Sequence, residues 1–412
     1  MLFMGATIKG PSNMSRLRVA IIAPPWIALP VKGFGGIELV LQTLVDELLR
    51  QNVEVEIFGN GARKMHGVKT HSLYKTEQIE NIHRPYTEAL PIVLAHMQFA
   101  LNEIRKDGAF DIVHDHNELI GPQFWALATQ LAGIPPVLHT LHVPPTNSKS
   151  MSEQGIPERR TYLELLGDMG NMYIVAISEA MTRLLPKQVH HQTLDKVYNA
   201  IDPEMYPYIK DKKDYFITLA RLSALKGQHT AAKLCARKGY RLRMAGTVAG
   251  IESSEKLLLE LANPNSKFNN FVDFQYYRDK VMPYVDNQQI TYEGNLSGQK
   301  KLKFISQAKA LLFPIDWEEP FGMAIIEALA CGTPVVAMNK GAIPEIIIHG
   351  VNGFLANNEE EFAEYMDRIH EIDPEACRAS VVARFSASKI TKEYINRYEE
   401  VIRRTKIAKN IT

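Results

Sequence analysis

Short apolar runs alternate with amphipathic segments through most of the chain. Arg18-Val-Ala-Ile-Ile-Ala23 reads as a buried strand, and Ile37, Val40, Leu41, Leu44 and Leu48 mark one face of a helix behind it. Residues 53–58, 111–114, 136–142 and 173–178 predict four further strands. Over residues 199–214 the pattern lapses into a turn-rich, charged stretch that predicts a linker. The alternation then restarts at residues 215–220, 240–245, 290–293, 310–314 and 333–337. Strands alternating with helices predict parallel βαβ units, and two such series predict two Rossmann-like, doubly wound α/β domains with their strand C-termini at one crevice. The predicted boundaries are 1–15 for a disordered or extended tail, with Met14 as an alternative start, and 16–205 and 206–387 for the two domains. Residues 388–412 then form a basic amphipathic helix that packs back across the domain junction. Residues 251–286, richer in polar and aromatic side chains, read as an insertion of a helix and a long loop.

Composition narrows the class. A chain of 412 residues with 46% hydrophobic and 23% charged residues is long enough for two ordinary domains and has the balance of a soluble globular protein. Its net charge of +1 provides no global field for nucleic acid or an anionic membrane, so membrane contact is at most peripheral, at the inner face. Cys235, Cys331 and Cys377 are far apart and odd in number, which fits neither a disulfide framework nor a metal knuckle and predicts a reducing, cytoplasmic setting. The apolar stretch at residues 19–31 is interrupted by Pro24, Pro25 and Pro30 and is too short to span a bilayer.

The most informative segment is Asp316-Trp-Glu-Glu319-Pro-Phe-Gly-Met-Ala-Ile-Ile-Glu327-Ala-Leu-Ala-Cys-Gly332-Thr-Pro334. Pro320-Phe-Gly322 predicts a helix start and Gly332-Thr-Pro334 a stop, leaving about three turns that are almost wholly apolar. Such a helix is buried, and a carboxylate inside it costs free energy unless donors or a ligand satisfy it. Glu319 stands just ahead of the N-terminus, where free N–H groups favour polar or anionic ligand groups. Read alone, Glu319 is as readily a solvated loop residue, and Glu327 as readily a buried acid paired with an Arg or Lys elsewhere, as either is part of a site.

Three other clusters carry candidate chemistry. Arg221 at a strand end and Lys226 at the head of the next helix make a seat for a diphosphate, or two surface charges. Gly33-Phe-Gly35-Gly36-Ile-Glu38 opens the first helix, but Glu at position 38 and the long preceding loop exclude a dinucleotide fingerprint. His114 and His116 share a strand face, so a metal site there is conceivable, although no further ligand motif accompanies them and the chain is read as metal-free.

The glutamate segment resembles the glutamate-pair signature of glycosyltransferase family 4, whose members are retaining enzymes of the GT-B fold. Gly35 and Gly36, His142 with its following prolines, the Asn199-Ala-Ile-Asp202 linker, Arg221 with Lys226, and Gly294 occur in the family's order, and the resemblance covers roughly residues 18–385. The departures are the tail, the insertion, and Ala200 and Ala220 where members often carry Gly. The resemblance implies a hexosyl transfer from a nucleotide diphosphate sugar to a hydroxyl of a carbohydrate or lipid-linked acceptor, with retention and with no metal or other cofactor. It implies that Arg221 and Lys226 stabilise the diphosphate, that Glu319 with the backbone of Phe321, Gly322 and Met323 holds donor hydroxyls, and that Glu327 takes the ribose. Gly35, Gly36 and Gly294 would border the donor, His142 would lie beside donor sugar and acceptor, and His116 would stand on the acceptor side. Ser178-Glu179 resembles a structural turn of the family. A nucleotide-sugar 2-epimerase of the same architecture and a non-catalytic nucleotide-sugar-binding protein stay open as alternatives, and an NAD oxidoreductase is disfavoured by the glycine spacing. Base, sugar and acceptor are not legible.

Overall fold

The computed structural model describes residues 16–32, 35–83, 86–118, 120–146, 159–167 and 169–411. The tail at 1–15 and, in the glycine loop, Gly33 and Phe34 lie outside the described residues. The first sheet comprises β1 (Arg18–Ile22), β2 (Glu54–Phe58), β3 (Lys69–His71), β4 (Ile112–Asp115), β5 (Val137–Leu141), β6 (Met172–Ala176) and β7 (Thr193–Leu194), in the order β3-β2-β1-β4-β5-β6-β7. The second comprises β8 (Phe216–Leu219), β9 (Leu242–Ala245), β10 (Ile290–Tyr292), β11 (Ala310–Phe313), β12 (Val335–Met338) and β13 (Gly353–Ala356), in the order β10-β9-β8-β11-β12-β13. Neighbouring strands pair in parallel; Val19 of β1 sits between Val55 of β2 and Ile112 of β4. Parallel sheets take helices on both faces, which is why the central strands read as unbroken apolar runs and Val19, Ala20, Ile21 and Ile22 are all buried. In each sheet the strand order reverses beside the first strand, between β1 and β4 and between β8 and β11, and a doubly wound sheet opens its crevice outside the C-terminal ends at that point.

Five elements differ from expectation. β3 and β7 escape a reading by apolar runs because they are two or three residues long, and Lys-Thr-His at β3 has no apolar residue at all; β13, Gly-Phe-Leu-Ala, is as long as β11 but is not among the predicted strands. The helix carrying Glu327 runs over Met323–Ala330, eight residues rather than three turns, because Gly322 takes φ 103° and keeps Pro320–Gly322 outside it. The stretch read as a long loop in the insertion is helical instead. After the helix Ser254–Ala262, a turn at Lys267–Asn270 leads into Val272–Tyr276, which continues through one π turn at Tyr277–Val281. Buried Phe274, Tyr277 and Val281 anchor it to the second domain's core, and these spaced aromatics were the unused helical signal.

The chain finally returns to its first domain. Ala387 N–H donates to Ile201 O at 2.8 Å and Ile201 N–H to Phe385 O at 3.1 Å, which ties the two crossings together. The helix Ala387–Ile411 then packs Ile390, Tyr394, Tyr398 and Val401 among Val19, Ile21, Leu41 and Leu44. Its apolar face is thereby occupied. The Tyr398 hydroxyl lies 2.7 Å from Nδ1 of the buried His114, whose Nε2 lies 2.7 Å from Thr140 Oγ1. Deleting one partner of a buried hydrogen bond strands the other at a cost of about 1–3 kcal/mol. Tyr398→Phe is therefore expected to lower the stability of the first domain by that amount in urea unfolding, and an unchanged midpoint would contradict the role assigned to this contact.

Candidate active site

Between the two sheets lies a cavity of about 460 Å³. Its lining comes from strand C-terminal ends and the turns and helix starts that follow them: Gly36 and Ile37 after β1, His142 after β5, Ile177 after β6, Leu219 to Arg221 and Lys226 at and after the end of β8, and Phe313 and Glu319 to Ala324 at and after the end of β11. The structure thus brings together Arg221, Lys226, His142, Glu319, Gly36, Phe321, Gly322 and Met323.

Lys226 is placed by a turn that only glycine can close. Gly227 has φ 67°, and a Cβ there would lie 1.9 Å from Pro314 O, so the turn sits directly on the loop that leads to Glu319. Gly341 does the same from the other side, where a Cβ would lie 2.4 Å from the backbone N and O of Glu319. Between them the Lys226 ammonium meets Glu319 Oε2 at 2.6 Å, and the Trp317 indole N–H donates to the same oxygen at 2.7 Å. Glu319 is only 7% exposed, and its second oxygen has no hydrogen-bond partner among the described residues. Trp317 stands inside the signature, where sequence alone carries no signal that its indole meets Glu319.

The remaining expected residues fall elsewhere. Arg221 reaches out of the same cavity to Asp273 Oδ2 at 3.1 Å, with its side chain 58% exposed, so the insertion supplies the counter-ion of a cavity cation. Glu327 is 5% exposed but does not line the cavity; its Oε1 receives Lys301 Nζ at 2.6 Å and the Tyr206 hydroxyl at 3.2 Å. No spacing in the chain pairs position 301 or 206 with 327, so neither partner was legible. Gly294 follows β10 with φ 73°, and its carbonyl accepts from Gly246 N–H at 2.9 Å, outside the cavity lining.

Gly35 and His116 line a second cavity of about 450 Å³ within the first domain, which shares Gly36 and Ile37 with the first. His116 Nδ1 and His142 Nε2 are 2.8 Å apart, so one histidine faces each cavity and one proton joins them. His114 has both nitrogens engaged with Tyr398 and Thr140, leaving no lone pair for a metal; among the described residues no group of three or more His, Cys, Asp or Glu could hold one. Burial holds His114 and His116 well below the usual imidazole range, with neighbouring histidines adding to it, and lowers His142 to about 3 and His96 to about 4. Burial also pushes the Glu38 carboxyl up to about 7.

The domains meet beside the cavity through polar contacts. Ser178 Oγ donates to Pro320 O at 2.7 Å, next to Glu319. The Glu345 carboxylate of the second domain accepts from the N–H groups of Glu179 and Ala180 at 2.8 and 2.7 Å, at the N-terminus of a first-domain helix, and from the Tyr198 hydroxyl at 3.1 Å. Ser178 and Glu179, read as a structural turn, are half of this junction. No helix among the described residues is long and apolar enough to cross a membrane.

Two parallel-sheet α/β domains facing across a cleft define a GT-B protein. The chain superposes at TM-score 0.70 on sucrose-phosphate synthase from Thermosynechococcus elongatus, 18% identical over 94% of this chain and 99% of that one. It superposes at 0.65 on Anabaena HepE in complex with UDP-glucose, 17% identical over 93% of this chain and all of that one. The family described as Glycosyltransferase Family 4 matches residues 34–205 and the one described as Glycosyl transferases group 1 matches residues 207–383. A D-inositol 3-phosphate glycosyltransferase of Corynebacterium efficiens is 25% identical over 383 residues, 84% of each chain. The protein belongs to glycosyltransferase family 4 and is a glycosyltransferase.

The buried histidines set the pH response. Each is neutral in the fold and has an ordinary value of 6.5 when unfolded, so the unfolded chain binds more protons below that value. Stability is full above about pH 7 and falls as pH drops from 6.5 toward 4, by about 1.4 kcal/mol per pH unit for each histidine that resists protonation. Glu38 acts in the opposite sense, losing stability as pH rises from 4.5 to about 7, but it is one group against four. Urea midpoints are expected to drop steeply between pH 6.5 and 5; a flat profile over that window would contradict the neutral cluster.

Proposed function

We propose that this chain is a retaining, metal-independent hexosyltransferase that uses a nucleotide diphosphate sugar as donor and a hydroxyl of a carbohydrate or lipid-linked molecule as acceptor. The observation that carries the reading is the convergence of Arg221, Lys226, Glu319 and the backbone of Phe321, Gly322 and Met323 in one interdomain cavity. Cations are needed where charge develops, on the departing diphosphate, and Arg221 and Lys226 supply them without a metal. Glu319 accepts from donor hydroxyls and the N–H groups of Phe321 to Met323 donate to them; the ribose falls to Glu327 by family resemblance, with Lys301 and Tyr206 holding that carboxylate behind the cavity lining. The anomeric carbon–phosphate oxygen bond breaks as the acceptor oxygen bonds that carbon from the same face, and the acceptor proton passes to the leaving phosphate oxygen. Closure about the Ser178–Pro320 and Glu345 junction excludes water from the cleft. Because HepE was solved with UDP-glucose, that sugar nucleotide is the first donor to test. The second cavity supports transfer over epimerisation, which needs no acceptor, and the intact cations weigh against a non-catalytic binder.

Arg221→Ala and Lys226→Ala are each expected to lower turnover by about 10²- to 10³-fold, the range for losing one transition-state charge stabiliser. Undiminished transfer by either variant would remove the mechanism. Glu327→Gln is expected to raise the donor KM with turnover retained. Transfer is expected to persist in EDTA; loss restored by Mn²⁺ or Mg²⁺ would contradict the metal-free reading. A melting-temperature screen against nucleotide sugars checks donor binding itself, since a ligand of the folded state raises the midpoint.

A further inference from the structure

The geometry points to the second cavity as the seat of an uncharged acceptor with an apolar face, an alkyl- or aryl-bearing glycoside rather than a sugar phosphate. The inference rests on the transferase reading and assigns the acceptor class that the reading leaves open. Three features of the cavity carry it.

The first is its position. It adjoins the donor cavity through Gly36 and Ile37, and the His116–His142 pair stands at the junction with one ring in each lining. A hydroxyl at His116 would therefore be one imidazole away from the group that lines the donor side.

The second is a polar atom with nothing to bond. His116 is fully buried, and its Nε2 has no hydrogen-bond partner. Buried polar atoms are nearly always satisfied, so an orphan on a residue that borders a cavity of ligand size marks a place where a small side-chain shift would let an occupant bond. If His116 Nδ1–H donates to His142, Nε2 is an acceptor for a hydroxyl proton; if His142 donates, Nε2–H is a donor to a hydroxyl oxygen. A hydroxyl satisfies both tautomers.

The third is the character of the walls. Trp26, Ile27, Ile79, Val93 and Val143 give the cavity an apolar side, and an indole face suits a flat or hydrocarbon surface. The described residues that line it include no Lys or Arg, and Glu38 stands among them with no ion-pair partner and a carboxyl that accepts from its own backbone N–H. A phosphate placed there would meet acidic side chains and, among the described lining residues, no cation, so the site offers an anion no partner. An uncharged sugar meets hydrogen-bonding groups in Glu38 and His116, and its aglycone meets the wall.

The test uses the full chain with the donor that gives the largest melting shift held at saturation. Nucleoside diphosphate release is measured with p-nitrophenyl glycosides of glucose, galactose, mannose and N-acetylglucosamine, each against its free sugar and its 6-phosphate. At least one aryl glycoside is expected to exceed both counterparts by tenfold or more at equal concentration. Trp26→Ala and Glu38→Gln are expected to raise the KM of that glycoside at least tenfold, with the donor-induced melting shift retained as the check on folding and on the donor site. Aryl glycosides no better than the free sugars, a 6-phosphate as good as an aryl glycoside, or variants with unchanged acceptor KM would each overturn the inference. Absence of any donor shift in wild type would instead overturn the underlying transferase reading, so the two failures are distinct.

Discussion

The ion pair between Lys226 and Glu319 is the interaction on which the rest of the site depends. Two opposite charges, both largely withdrawn from water, are tolerable at 2.6 Å and costly apart. The chain commits backbone to that distance: a left-handed Gly227 on one side, Gly341 pressed against the Glu319 backbone on the other, and an indole N–H on the shared oxygen. The ammonium also lies over the Trp317 ring, 4.8 Å from its centre, so it is held from two directions. A cation fixed in this way before ligand arrives needs little reorganisation when a diphosphate develops charge beside it. Arg221 is the looser partner, half in solvent and paired with Asp273 of the insertion, so the second cation is available at the cost of an exposed ion pair, which is small.

The second dependence is on how the chain crosses between domains. Residues near 200 lead out of the first domain and the helix Ala387–Ile411 leads back into it, the two crossings bonded to each other at Ile201 and Ala387. The final helix is part of the first domain's core, so the second crossing is anchored there. The contacts across the junction include Ser178 with Pro320, Glu345 with the helix start at Glu179, and the Tyr198 ring with the Phe321 ring. Pro320 lines the cavity and Ser178 follows its lining residue Ile177, so the junction and the cavity share a wall.

Much of this was legible from local pattern. Runs such as Arg18–Ile22 and Ala310–Phe313 announce buried parallel strands because both faces are covered, and periodicity alone finds them. The signature around Glu319 and the Arg221–Lys226 turn could be placed at strand ends, and the structure gathers them into one cavity. What escaped depends on partners distant in sequence. Lys301 and Tyr206 on Glu327, Asp273 on Arg221 and Glu345 on the helix at 179 are long-range ion pairs and hydrogen bonds with no spacing rule. The edge strands β3 and β7 escaped because two or three residues carry too little apolar pattern. The histidines at 114 and 116 were visible as a cluster, but their chemistry was set by Tyr398, 284 residues from His114, and by His142.

A structure of the protein with an intact nucleotide sugar tests the central claim most directly. The account predicts diphosphate oxygens within hydrogen-bond reach of Lys226 Nζ and the Arg221 guanidinium, the sugar hydroxyls on Glu319, and the Arg221–Asp273 contact broken. A diphosphate seated away from Lys226, with the Lys226–Glu319 pair and the Arg221–Asp273 pair both undisturbed, would contradict it.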